Sequence, residues 1–283
     1  MNRVRVSVIT VTHQRRDLLR RKLHSLEGQS LPPEEFEWIV CDNASDDGTT
    51  AALSEVRPAF SLKVVRSEEN RGPGPGRNAC VRLSDAPILY FSDDDCLLAP
   101  DTLERHLQAQ TRPGVLVGGI RWEFDGGHEY MRPARVRYWN LHGMNTSLPR
   151  AAFDRAGGFD ESLTGYGLED VLLGFRLRQA GYRFRSLPDV LVRHIGANPM
   201  RAADPLKARS AGRNAVHIAR RYPRLGVRLG VHPLSLGLKK VLLHPPLGLA
   251  WRLVDTPSYR YERAYLDAAL DELGGRSEDH GRI

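Results

Sequence analysis

Through the first hundred residues, apolar β-branched runs alternate with helical patterns, and that alternation limits the fold more than any other feature of the chain. Strand, helix and strand in succession make a βαβ unit, which sets neighbouring strands parallel and lays helices over the sheet. Val4 to Thr12 reads as a first strand. A helix follows from about Asp17 to Glu27, with Leu18, Leu19, Leu23 and Leu26 at helical spacing. Glu37 to Cys41 forms a second strand, and Asn43 to Gly48 a turn that caps a helix from about Thr49. Leu62 to Val65 is a third strand, and a helix near Arg77 to Leu83 leads into a fourth, Ile88 to Phe91. These strands end at His13, Asp42, Asn70 and Asp93. In open parallel sheets ligands bind beyond the carboxyl ends of strands, so these ends are expected to face one cleft.

The second half is less regular. Val115 to Phe124 and Asn145 to Leu148 read as strands, and Ala151 to Ala156 as a short helix. A stronger helix runs from about Glu169 to Ala180 and stops at Gly181. Two strands, Phe184 to Leu187 and Val190 to Arg193, complete the sheet. Beyond about Ala197 the pattern turns helical and Pro-interrupted. The expected division is therefore a catalytic α/β domain over residues 1–196, a basic helical extension over 197–273, and a disordered tail over 274–283.

Charge is distributed unevenly. The net charge is +7, yet residues 201–240 hold ten Lys and Arg against the single Asp204, which leaves the rest slightly acidic. Such a segment suits an anionic membrane surface, an anionic acceptor or a nucleic acid equally well by charge, and a solvated helix face needs no partner at all. The uncharged stretch Val241 to Trp251 is 11 residues with two prolines, whereas crossing a bilayer takes about 18 or more. The opening residues carry no apolar run with a small-residue cleavage site, so they read as strand and not as a signal peptide. Cys41, Cys80 and Cys96 are odd in number and match no metal spacing. Three reduced thiols in a cytoplasmic protein are the expectation.

Two acidic groups stand where chemistry is expected. Asp93, Asp94 and Asp95 follow the apolar strand Ile88 to Phe91, and adjacent carboxylates at a partly dry site call for a cation. They would equally serve as a polar turn capping the helix after Pro100. Glu169 and Asp170 open a helix, where the dipole alone favours acids. A general base projecting into the cleft is the other reading. The run Gly72-x-Gly74-x-Gly76 lacks the dinucleotide spacing, and no phosphate-binding G-x-x-x-x-G-K-[ST] loop occurs. His106, His128, His142, His217, His232 and His244 are scattered and read as core or solvent residues.

The order of motifs from about residue 4 to 196 resembles that of the family-two glycosyltransferases. The opening Val6-Ser7-Val8-Ile9-Thr10-Val11-Thr12-His13-Gln14-Arg15 looks like their first strand, and Cys41-Asp42-Asn43-Ala44-Ser45-Asp46-Asp47-Gly48-Thr49 like their second-strand turn. Asn70-Arg71-Gly72 through Arg77-Asn78 looks like the donor loop, and Ser92-Asp93-Asp94-Asp95 like the D-x-D motif. Gly157-Gly158-Phe159-Asp160-Glu161 resembles the acceptor-side segment. Glu169-Asp170 with Arg176 and Ala180-Gly181-Tyr182 resembles the E-D helix, and Val192-Arg193-His194 the final strand.

The resemblance implies a GT-A fold, Rossmann-like, with a mostly parallel central sheet flanked by helices and a C-terminal helical extension. It implies inverting transfer of a sugar from a nucleotide diphosphate donor to a saccharide or lipid-linked acceptor, with Mn²⁺ or Mg²⁺ as cofactor. No nucleic acid is expected as a partner, and the basic segment Arg201 to Lys240, followed by Leu, Trp and Tyr residues, is compatible with peripheral attachment to the inner face of the membrane. Thr12, Asp42, Arg71 and Asp93 would bind the donor, and Asp95 and His194 the metal. Asp170 would be the base, with Glu169 and Tyr166 on the acceptor. Val11 replaces the Pro common in the family, and the Pro-rich Gly72 to Gly76 stiffens the donor loop, so the base it reads stays open. A sugar-nucleotide nucleotidyltransferase would carry a Gly-rich loop after the first strand, and Thr12 to Arg16 has no glycine. A binding module without catalysis is the remaining alternative.

Overall fold

The computed structural model describes residues 4–124, 127–195, 204–243 and 257–275. The chain divides into two compact units, Met1–Glu161 with Glu169–Ala197, and Ser162–Leu168 with Asn198–Ile283.

The first unit is built on a nine-stranded sheet. Its strands are β1 (Val6–Thr12), β2 (Phe36–Asn43), β3 (Ser61–Ser67), β4 (Ile88–Phe91), β5 (Cys96–Leu98), β6 (Val115–Phe124), β7 (Gly127–Met131), β8 (Thr146–Pro149) and β9 (Phe184–Ile195). Its helices are α1 (Arg16–Glu27), α2 (Thr49–Glu55), α3 (Pro73–Arg82), α4 (Thr102–Ala109), α5 (Arg150–Ala156) and α6 (Glu169–Gln179). The sheet order is β3-β2-β1-β4-β8-β6-β9-β5, with β7 paired to β6. Pairs among β3, β2, β1 and β4 are parallel, β6 and β9 are parallel, and β8, β5 and β7 pair antiparallel. This is the mostly parallel α/β architecture the sequence implies.

Burial explains the pattern. Strand β2 is buried along its whole length, and β1 at every residue but Val11. Helices cover both faces, so near-continuous apolar runs are what such strands require. One apolar cluster gathers Val8, Leu19, Leu26, Trp38 and Tyr90, and a second gathers Ile9, Ile39, Leu89, Phe153 and Leu173. The edge strand β3 is half-exposed and carries Lys63 and Arg66, charges that discourage another strand from pairing there.

Three expectations need correction. The segment Gly72 to Gly76 is no free loop, because α3 starts at Pro73, and proline at the first helical position loses no hydrogen bond. The runs Phe184 to Leu187 and Val190 to Arg193 are one strand, bent where its register against β6 shifts between Gly118 and Gly119. The Asp93 to Asp95 turn does not cap the helix that follows Pro100; strand β5 lies between, and no side chain caps α4.

The second unit contains α7 (Pro205–Arg221), α8 (Pro233–Leu243) and α9 (Pro257–Leu273). Asp204 caps α7 by accepting from the Leu206 amide at 2.9 Å, with Pro205 at the first position. Ala208, Ala211, Ala215, Val216, Tyr265 and Ala269 form its core. Small residues let α7 and α9 approach closely: a Cβ on Gly212 would lie 2.4 Å from the Tyr265 carbonyl. Among the described residues no helix is long and apolar enough to cross a membrane. The boundary expected near Ala197, most of the expected tail and most of Val241 to Trp251 lie outside the described residues.

Candidate active site

Strand β4 delivers the acidic turn. It is apolar and buried, and beyond it the Cys96 amide donates back to the Asp93 carbonyl at 3.2 Å. Strand β5 then runs antiparallel to β9, with Cys96 opposite His194, and the Ile195 amide donates to the Asp95 carbonyl at 2.9 Å. The D-x-D turn and the final-strand motif are joined there. Asp94 accepts from the Thr12 hydroxyl at 2.7 Å, and an Asp95 oxygen lies 3.4 Å from His194 Nε2. Burial, then the charge of Asp95, pushes Asp94 up to about 7. Burial, then Asp93, pushes Asp95 up to about 6.

Beneath the turn lies Lys22, fully buried on α1. Its ammonium donates to the Ser92 hydroxyl, to the Asp93 carbonyl at 3.1 Å and to the Cys96 carbonyl at 2.6 Å. All three of its donors are used, which is what a buried lysine needs. Burial takes its pKa down to about 8, against the pull of the nearby acids.

The residues beside this turn fit a divalent ion. Atoms of Asp95, Cys96 and His194 lie within 4.8 Å of one another. His194 Nδ1 is buried with no hydrogen-bond partner among the described residues, and burial lowers the pKa of the ring, favouring the neutral form that ligation requires. Burial pushes the Cys96 thiol well up, so it stays protonated. A carboxylate and an imidazole remain, a set that suits Mn²⁺ and takes Mg²⁺ through the carboxylate.

Arg77 links this turn to α6. The seating of α3 sets its position: a Cβ on Gly76 would stand 2.9 Å from both methyls of Val11, so the helix lies directly on β1. The guanidinium donates to Asp93 at 2.9 Å and to Asp170 at 3.1 Å, lies 3.5 Å from Glu169, and rests over the Phe159 ring at 5.3 Å. Burial works against its charge, but Asp170, Asp93 and Glu169 outweigh that and raise its pKa. Asp170 also accepts from the Gly143 amide at 3.1 Å. Burial raises the Asp170 pKa and Arg77 opposes the rise. A Cβ on Gly143 would fall 2.1 Å from the Arg77 guanidinium, so only glycine fits there.

His142 borders the same spot. Both of its ring nitrogens are buried with no partner among the described residues, and burial lowers its pKa to about 4. It packs with Asp170, Phe159 and Thr146 around a gap too small to admit a water molecule. The Gly157 to Glu161 motif supports the assembly, since the Asn78 amide donates to the Phe159 carbonyl at 3.0 Å and to Glu161 at 2.9 Å.

The structure thus gathers Thr12, Asp93, Asp95, Glu169, Asp170 and His194, linked through Arg77 and the acidic turn. Asp42 is fully buried, and its oxygens accept from the Ser45 amide at 2.9 Å and from the Thr50 hydroxyl, anchoring its own turn. Arg71 is exposed and reaches the Glu161 carbonyl at 3.4 Å. Tyr166 belongs to the second unit, 47% exposed, with the Lys207 ammonium 4.5 Å over its ring. Sequence reasoning missed Lys22, Arg77 and His142. Only Arg77 carried a signal, as part of the quoted donor-loop motif.

Residues 7–167 match the family model described as Glycosyl transferase family 2. The chain is 30% identical over 223 residues to a validoxylamine A glucosyltransferase of Streptomyces hygroscopicus subsp. limoneus, covering 62% of this chain and 48% of that one. It spans 48% to 64% of the length of three curated relatives it matches. Its fold is similar to that of mannosyltransferase PcManGT from Pyrobaculum calidifontis, solved with GDP-Man and Mn²⁺, at a TM-score of 0.67 and 24% identity, covering 97% of this chain and 88% of that one. S. aureus TarS 1-349, solved with UDP-GlcNAc, is similar at a TM-score of 0.61 and 20% identity, covering 98% and 93%.

Proposed function

Since this chain belongs to glycosyl transferase family 2, we propose that it moves a sugar from a nucleotide diphosphate donor to an acceptor hydroxyl, with inversion at the anomeric carbon. The observation that carries this reading is Arg77, buried and bonded to Asp93 on one side and Asp170 on the other. It makes one site of the acidic turn and the start of α6. Support for a sugar-nucleotide donor comes from the folds solved with GDP-Man and with UDP-GlcNAc.

In this reading Asp95 and His194 hold the divalent ion, and Thr12, Asp42, Arg71 and Asp93 hold the donor. A bound Mn²⁺ or Mg²⁺ offsets charge on the departing diphosphate as a Lewis acid. Asp170 takes the proton of the acceptor hydroxyl. Its raised pKa suits that task, because a carboxylate of ordinary acidity is a weak base at neutral pH. Arg77 keeps its charge beside Asp170 and limits that rise. Glu169, ion-paired to Arg77, orients the acceptor. The acceptor is a saccharide, free or lipid-linked, and the three buried free cysteines fit a reducing cytoplasm.

A panel of UDP-, GDP- and dTDP-sugars with Mn²⁺, scored for donor binding and for slow donor hydrolysis, tests the reading. Turnover is expected with at least one donor, and is expected to vanish in Asp95→Ala and in excess chelator. Pyrophosphate release from a nucleoside triphosphate would make the chain a nucleotidyltransferase. Donor binding without hydrolysis or transfer would make it a binding module.

A further inference from the structure

Helix α8 turns its apolar side to solvent. Leu234, Leu238, Val241 and Leu242 are 79%, 61%, 58% and 44% exposed, while Leu236 on the opposite side is buried. Those four positions follow the spacing i, i+4, i+7 and i+8, so they form one stripe along the helix. A surface helix ordinarily puts such a stripe against the core. Val227, in the connection just before α8, is also 64% exposed. Contiguous apolar surface of this kind marks an interaction site.

Charge identifies the partner. From Pro205 to Val254 the chain has no Asp or Glu and ten Lys and Arg. Arg224, Arg228 and Lys240, around the stripe in sequence, are exposed. A polyanion such as a nucleic acid or an acidic glycan would engage these cations but leave four apolar side chains in water. A second copy of the chain would cover the apolar side chains but set the same basic segment against itself. An anionic lipid surface satisfies both, taking the stripe among its acyl chains and the cations at its phosphates. At 11 residues α8 is about 16 Å long, far short of a bilayer span, so such a helix lies in the plane of the surface.

We propose that α8 docks this chain on an anionic membrane surface, through Leu234, Leu238, Val241 and Leu242, with the exposed cations Arg224, Arg228 and Lys240 close to them in sequence. The inference does not rest on glycosyl transfer, and its test needs no substrate. The full chain is sedimented with vesicles of phosphatidylglycerol and phosphatidylcholine, and with phosphatidylcholine alone, at low and at high salt. Binding is expected to the anionic vesicles, weaker at high salt, and not to the neutral ones. Leu238→Gln with Val241→Gln changes only exposed positions and is expected to keep the thermal midpoint while lowering vesicle affinity by at least about tenfold. Lys240→Ala is expected to weaken binding at low salt with little effect at high salt. No binding of the wild-type chain to anionic vesicles at low salt would overturn the proposal, as would undiminished binding by the double variant. A dimer in solution that the double variant converts to a monomer would overturn it in favour of a second copy on this face.

Discussion

At the scale of single residues, the site is organised by charges held where water is scarce. Asp170 shares Arg77 with Asp93 and Glu169, and burial holds its pKa above the ordinary aspartate range. Asp170→Asn removes the proton acceptor and keeps the shape, so turnover should fall by about 10²-fold or more with donor affinity changed only a few-fold. A base works only when deprotonated. The wild-type rate should therefore drop on the acid side at a pH above the ordinary aspartate range, and a pH–rate profile checks it. His142 poses the opposite question, because nothing among the described residues satisfies its buried ring nitrogens. A buried polar atom without a partner costs about 1–3 kcal/mol. His142→Leu should then raise stability by about 1 kcal/mol. Urea unfolding of the variant beside the wild type checks it.

At the scale of elements, the helix that carries Arg77 depends on what its glycines touch. A Cβ on Gly76 would meet Val11 at 2.9 Å, while one on Gly74 would meet Phe159 at an ordinary 3.4 Å. Alanine gains up to about 1 kcal/mol over glycine inside a helix, but overpacking costs about 1–3 kcal/mol. Gly76→Ala should therefore destabilise by up to about 2 kcal/mol and disturb donor turnover, whereas Gly74→Ala, with no overpacking to offset its gain, should not destabilise. Urea midpoints of the two variants test the contrast. This helix also shows where sequence reading stops. Its first turn, Pro-Gly-Pro-Gly, looks like a loop because its helical character comes from proline at the first position and from packing on β1, neither of which is a periodicity. Strands β1, β2 and β4 were legible because burial on both faces demands apolar runs. Strand β5 has three residues and β7 is polar, and both are held by pairing to distant β9 and β6. In the site, Asp93, Asp95, Asp170 and His194 were legible from their motifs. Lys22 reads as one more polar residue of a basic helix, and only contact with a turn about seventy residues away gives it a role.

At the scale of the whole molecule, each unit has its own core, so a probe must be chosen to follow one of them. Trp38, Trp122 and Trp139, three of the four tryptophans, belong to the first unit, which makes tryptophan fluorescence chiefly a report on that unit. That unit contains a titratable group away from the proposed site. His106 on α4 is fully buried, with its ring nitrogens 2.8 Å from the Ser147 hydroxyl and 2.9 Å from the Asn145 side-chain oxygen. Burial lowers its pKa from 6.5 to about 4. A histidine with a depressed pKa in the folded state binds its proton more tightly once unfolded, so acid favours unfolding. Its contribution is complete above about 6.5 and is lost as pH falls toward about 4, amounting to about 3 kcal/mol across that window. Urea midpoints followed by tryptophan fluorescence should fall steadily through that range. His106→Gln can still bond both partners yet cannot take up the proton, so it should show a shallower acid slope. An unchanged slope would mean that the acid sensitivity of the sheet arises from other groups.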